Sequence, residues 1–135
     1  MSNPIQPPVF LRRVLWADAI VSAVVGAVMA LGANVLQALL GLPSSLLVLA
    51  GVALFPYAAY VAWLATRAAV PRAAVWLPIV VNVAWAIDCG FVLFGGGFRP
   101  SWLGQAFVAM QIVTVLLFAE LEFIGLKRAC AIVPA

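Results

Sequence analysis

Four long apolar segments fill this sequence, and the stretches between them are short and rich in Gly, Pro or basic residues. A helix needs roughly 20 apolar residues to cross the hydrocarbon core of a bilayer, so each segment is long enough for one crossing. Of all residues, 67% are hydrophobic and 8% are charged, whereas about 25% are charged in soluble domains. The sequence therefore predicts an all-α integral membrane protein, a four-transmembrane-helix bundle with two tight hairpins and no soluble domain.

The limits of the four segments follow from helix-breaking residues. GLPSS follows the first segment, RAAVPR the second and GGGFRPS the third. Gly ends helices because it adopts left-handed backbone conformations easily, and Pro interrupts them because it lacks an amide hydrogen. The sequence predicts a single transmembrane domain over residues 1–135, with spans at 13–40, 46–66, 73–94 and 102–126.

Small residues recur at steps of three and four along the first span, at Ala19, Ala23, Gly26, Ala30 and Ala33. Such a stripe allows a second helix backbone to approach closely. The favoured interpretation is packing within the bundle, and the alternative is a seam between two copies of the chain.

Basic residues are distributed unevenly between the two sides of a four-span chain. One side carries Arg99 alone, and the other carries Arg12, Arg13, Arg67, Arg72, Lys127 and Arg128. Basic residues in short loops favour the cytoplasmic side. The sequence thus predicts a multi-pass protein of the bacterial inner membrane with both termini cytoplasmic. Because these residues form no continuous patch, no nucleic-acid partner is predicted.

Two acids lie near the end of the fourth span, in the stretch FAELEFIGLKR. Residues two apart on a helix point about 200° away from each other, so Glu120 and Glu122 cannot serve one site. Glu122 follows Gln111 by eleven positions and shares its face, which is predicted to look into the bundle. Glu120 then faces a neighbour at the side, a partner chain or the headgroups. With Asp18 at a similar depth, we predict a cytoplasmic-side charge network that locks the helix ends together, formed by Arg13, Asp18, Arg67, Glu120 and Glu122.

A fourth acid, Asp88, lies in the part of the third span that is predicted to face the outer half of the membrane. Ionisable residues inside membranes commonly handle protons or ions, or anchor ligands. The alternative is a structural hydrogen bond, for which Gln105 on the fourth span is a predicted partner. The candidate intramembrane polar site comprises Asp88, Asn82, Gln105 and Gln111.

Several features of known catalytic and cofactor sites are missing from the sequence. It contains no histidine, the commonest metal ligand and the usual general base, and it has no paired cysteine motif or Gly-rich phosphate loop. The sequence predicts a protein that is not an enzyme and that holds no metal or side-chain-ligated cofactor. Contact with an apolar lipid, quinone or pigment stays open, because such contact leaves no sequence signature.

Two classes of function remain open. The favoured interpretation is a non-enzymatic accessory or interaction subunit, which contacts membrane lipids and binds other membrane protein subunits or a second copy of itself. The alternative is a small proton-coupled transporter or channel that uses intramembrane carboxylates. The two differ in whether the polar groups line a continuous cavity.

Overall fold

The structure, a computed structural model, describes residues 4–131, the last two by their backbone alone, and the rest of the predicted 1–135 domain lies outside this range. Within it the chain forms helices α1 (Val9–Leu31), α2 (Ala33–Leu40), α3 (Ser44–Thr66), α4 (Arg72–Phe94) and α5 (Trp102–Arg128). All except α2 are long and apolar enough to cross a membrane, by length and composition. The predicted all-α fold with four membrane-spanning helices and no soluble domain is confirmed.

The first span starts and ends elsewhere than predicted. Instead of one helix over 13–40, α1 begins at Val9 and ends at Leu31, and α2 continues the chain after a break at Gly32. A single helix over the predicted range would be about 42 Å long, whereas the hydrocarbon core is about 30 Å thick. Gly is also about 1 kcal/mol less favourable than Ala inside a helix. The break therefore falls where the chain exceeds the membrane thickness and helix propensity is low.

The four long helices form two pairs, since α1 packs along α3 and α4 packs along α5. The pairs meet chiefly through α1 and α5, whereas α3 and α4 contact each other little. Where α1 crosses α3, a Cβ atom added to Gly51 would lie 2.7 Å from the carbonyl oxygen of Gly26. Ala19 and Ala33 of the small-residue stripe are also buried. The stripe thus serves packing within the bundle, as the favoured interpretation predicts.

A three-stranded antiparallel sheet, which the sequence does not predict, closes one end of the bundle. Strand β1 (Pro4–Gln6) lies between β2 (Val70–Pro71) and β3 (Cys130–Ala131). These strands are too short for a period-two pattern to be visible in the sequence. The sheet joins the two terminal segments to the α3–α4 connection, so both lie on the same side of the bundle, here called the sheet end. The opposite side, with residues 41–43 and 95–101, is the loop end.

Arginines at the sheet end bind helix carbonyls. Arg12 Nη1 donates hydrogen bonds to Ala65 O at 2.8 Å and to Arg67 O at 3.1 Å. Arg72 Nη1 donates to Leu126 O at 3.4 Å. The last four carbonyls of a helix have no partner within the helix, so the bond to Ala65 O satisfies an acceptor at the end of α3.

The outward surface of the bundle carries large apolar side chains along its whole length. Leu31 and Phe94 are more than four-fifths exposed. On helices long enough to span a membrane, such a surface contacts lipid. Membrane lipid is therefore a partner of this chain.

Candidate functional site

A cluster of polar side chains lies inside the bundle, where all four long helices contribute to it. Helix α1 supplies Asp18 and Ser22, α3 supplies Tyr57, α4 supplies Asn82, and α5 supplies Glu122. Glu122 is 0% exposed and Asp18 1% exposed, and Tyr57 is half-buried. We call these five residues the carboxyl cluster.

Asn82 holds the two carboxyl groups together. Its Nδ2 donates to Asp18 Oδ2 at 3.1 Å and to Glu122 Oε1 at 2.9 Å. Asp18 also accepts hydrogen bonds from Tyr57 Oη at 2.7 Å and from Ser22 Oγ at 3.2 Å. Glu122 Oε2 is buried and has no hydrogen-bond partner. The cluster is therefore short of one donor.

Positive charge is also missing from the cluster. No ion pair within 4.0 Å occurs among residues 4–129. Arg12 on α1 and Arg72 on α4 bind helix carbonyls instead, Arg13 is exposed, and α3 contributes only the Tyr57 hydroxyl. Two buried carboxylates without a countercharge are unfavourable, because burial penalises each charge and the charges repel. One bound proton would remove a charge and supply the missing donor.

The cluster lies inside the bundle, away from the helix ends at the sheet end. Asp18 is nine positions beyond Val9 at the start of α1, or about 14 Å by the helical rise. Glu122 is six positions before the end of α5 at Arg128, or about 9 Å. The buried side chain of Ile5 in β1 adds cover at the sheet end.

The structure brings together only two members of that network, Asp18 and Glu122, and it joins them through an amide. Arg13 and Glu120 are exposed. The Arg67 guanidinium lies over the Trp63 ring, 5.4 Å from its centroid. The prediction that basic residues pair with the acids is therefore wrong, because the arginines that face the bundle bind helix-end carbonyls. Glu120 is exposed and Glu122 is buried, as predicted from the helix face that Glu122 shares with Gln111.

The predicted intramembrane polar site divides into separate parts. Asn82 belongs to the carboxyl cluster, and Gln105 is exposed at the loop end, where it donates to Pro100 O at 3.4 Å. Asp88 is exposed and shares a cavity with Gln111. Six positions along a helix turn the side chain by about 240° and move it by about 9 Å, so Asn82 and Asp88 cannot serve one site.

Two cavities lie beside these parts. The loop-end cavity, of about 300 Å³, lies between the helix pairs and has Asp88 in its lining. The central cavity, of about 150 Å³, reaches Asp18. Trp85, Phe107 and Gln111 line both cavities, and Trp85 Nε1 donates to Gln111 Oε1 at 2.9 Å. The two cavities are therefore neighbours across the Trp85–Gln111 hydrogen bond.

Two members of the carboxyl cluster are missing from the sites predicted from the sequence. Ser22 follows Asp18 by four positions, a spacing that places side chains side by side on a helix and could have indicated it. Tyr57 carries no such signal, since its contact with Asp18 depends on how α1 packs against α3. Its hydroxyl is what links α3 to the cluster.

Comparison of the chain with protein-family models, with curated proteins and with solved structures finds no match. Four-helix bundles host many unrelated functions, so the fold alone assigns none. The chemistry of the carboxyl cluster and of the cavities is the basis for a functional proposal.

Proposed function

We propose that this chain is a small proton-coupled membrane transporter in which the carboxyl cluster binds and releases the proton. The observation that carries the proposal is the buried Asp18–Glu122 pair, bridged by Asn82, with one unpartnered oxygen and no paired basic residue. Carboxyl groups that face the interior of a membrane bundle and pair with each other are typical of proton relays. The central cavity, which reaches Asp18, supports the proposal further.

The cluster couples proton binding to helix position. With a proton shared between Asp18 and Glu122, α1, α4 and α5 are held together at Asn82. Without it, two negative charges repel across the junction between the helix pairs. Because this junction also borders the central cavity, proton binding favours one arrangement of the pairs and proton loss another.

A second candidate is a non-enzymatic accessory subunit or homo-oligomer, and Glu120 favours it. Its carboxylate is exposed on α5 eight positions before Arg128, about 12 Å from the helix end. A carboxylate that faces lipid is costly, and contact with a partner chain would relieve this cost. The small-residue stripe no longer supports this candidate, because α3 already covers it.

We also propose that the sheet end is cytoplasmic, because Arg99 is the one basic residue at the loop end among the described residues. In a Cys89→Ala, Cys130→Ser background, Ala68→Cys and Gly97→Cys place single thiols at exposed positions at opposite ends. A membrane-impermeant maleimide should label position 97 in intact cells and position 68 only after permeabilisation. The reverse pattern would contradict the orientation.

A pH jump across vesicles that contain the purified protein tests proton entry into the carboxyl cluster. On a solid-supported membrane, the parent protein should give a transient current, since protons enter the cluster even without a transported solute. Glu122→Gln removes one of the two carboxyl groups that share the proton, so its current should fall well below that of the parent. Glu120→Gln, the same change two positions away on an exposed site, is the matched control and should match the parent.

Solutes then distinguish transport from proton binding alone. Amines, inorganic cations and neutral solutes are added separately, one set at a time. At least one set should extend the transient current into a sustained current. A parent protein without a transient, or a Glu122→Gln transient equal to the parent's, would rule out the carboxyl cluster as the proton site. A transient that no set of solutes prolongs would favour the accessory-subunit candidate.

A further inference from the structure

The loop-end cavity combines apolar walls, aromatic rings and one carboxylate. Its walls include Met29 and Leu47, and the rings are those of Trp85 and Phe107. Asp88 is the acid in its lining, and within residues 4–129 it forms no hydrogen bond or ion pair. The cavity therefore holds a carboxyl group without a basic partner next to two ring systems.

We infer that this cavity binds an organic cation, an amine or quaternary ammonium ion with an apolar body. A carboxylate in apolar surroundings is unfavourable unless a positive charge accompanies it, and here the ligand supplies that charge. Cations are attracted to the faces of aromatic rings within about 6 Å, which gives Trp85 and Phe107 a role beyond packing. The volume of about 300 Å³ accommodates a ligand with one ring.

The same lining disfavours other classes of solute. A sugar or an amino acid needs several hydrogen-bonding groups, since buried polar atoms without partners cost roughly 1–3 kcal/mol each. Besides Asp88, the lining offers the amide of Gln111, whose Oε1 already accepts from Trp85, and the Cys89 thiol, which is a weak hydrogen-bonding group. A quaternary ammonium ion needs no hydrogen bond and requires only charge and apolar contact.

The inference rests on the proposed function where it takes the bound cation as the transported solute. The Trp85–Gln111 hydrogen bond lies between the cation in the loop-end cavity and the central cavity at Asp18. A cation against the Trp85 ring therefore lies one side chain away from the space that borders the proton site. Cation binding itself needs no proton movement, so it is measurable separately.

Equilibrium dialysis of the detergent-purified protein with radiolabelled benzyltrimethylammonium tests the site. The parent and Glu120→Gln, which removes an exposed acid elsewhere, should bind alike. Asp88→Asn keeps the shape of the side chain and removes its charge, so affinity should fall about tenfold or more. Trp85→Leu should weaken binding about threefold to tenfold, and Trp85→Phe, which keeps a ring, should recover part of it. Each variant must elute as the parent does from a sizing column.

The charge requirement is tested with neopentylbenzene. This molecule has the shape of benzyltrimethylammonium, but a neutral carbon takes the place of the charged nitrogen. It should compete with benzyltrimethylammonium at least tenfold more weakly than the unlabelled cation does. Equal competition, absence of binding to the parent, or unchanged binding to Asp88→Asn would overturn the inference. Cation binding without any proton-dependent current would refute the transport proposal and leave the cation site standing. Proton-dependent currents without cation binding would refute the cation site and leave the proposed function standing.

Discussion

Gly51→Ala should strongly destabilise the protein where α1 crosses α3. The added Cβ would lie 2.7 Å from Gly26 O and 2.8 Å from Ala30 N. Both are backbone atoms of α1, so no rotamer change relieves the contact and the two helices must separate. Forced overpacking commonly costs about 1–3 kcal/mol, and a contact with backbone belongs at the upper end of that range.

The melting temperature in a mild detergent, followed by circular dichroism, measures this effect. We expect Gly51→Ala to lower it by about 5–10 °C. Gly90→Ala is the matched control, because Gly90 also lies inside a membrane helix and an added Cβ there meets nothing within 4 Å. Equal melting temperatures for the two variants would show that α1 and α3 do not pack through Gly26 and Gly51.

The fold class can be predicted from the sequence because segment length and apolar content decide it almost alone. Residues 46–66, 73–94 and 102–126 correspond closely to α3, α4 and α5. The break at Gly32 escapes prediction because the apolar segment continues beyond it, interrupted only by the single polar residues Asn34 and Gln37 and by no proline before Pro43. The sheet escapes prediction because its strands pair segments far apart in the sequence, and two or three residues carry no recognisable period.

The candidate site can be predicted only in part. The spacing of Gln111 and Glu122 on one helix is a local property, and it correctly indicates that Glu122 faces inward. The partners of Glu122 depend on how α4 is rotated against α1 and α5. Helix packing determines this rotation, and the sequence does not indicate it. Matching charges by depth therefore suggests an arginine, whereas the structure places the amide of Asn82 there.

The melting temperature of Glu122→Gln distinguishes an arginine partner of Glu122 from Asn82. An arginine partner would be left unpaired by the change, which costs several kcal/mol when the charge is buried. With Asn82 as the partner, Gln keeps the acceptor oxygen and replaces the unpartnered Oε2 with an amide that can donate to Asp18. Satisfying such a buried group is worth about 1–3 kcal/mol. We therefore expect Glu122→Gln to melt at the parent's temperature or above it, and a clear decrease would contradict the amide-bridged cluster.

Infrared absorption by the reconstituted protein at neutral pH tests most directly whether Asp18 and Glu122 share a proton inside the bundle. A protonated carboxyl group has a C=O stretching band separate from that of a carboxylate, and the band shifts when D₂O replaces H₂O. The parent and Glu120→Gln should both show this band. Glu122→Gln should lack it, because the second carboxyl group that shares the proton is gone, and Asp18 accepts hydrogen bonds from Tyr57, Ser22 and Asn82. A parent spectrum without the band, or the same band in Glu122→Gln, would contradict the shared proton.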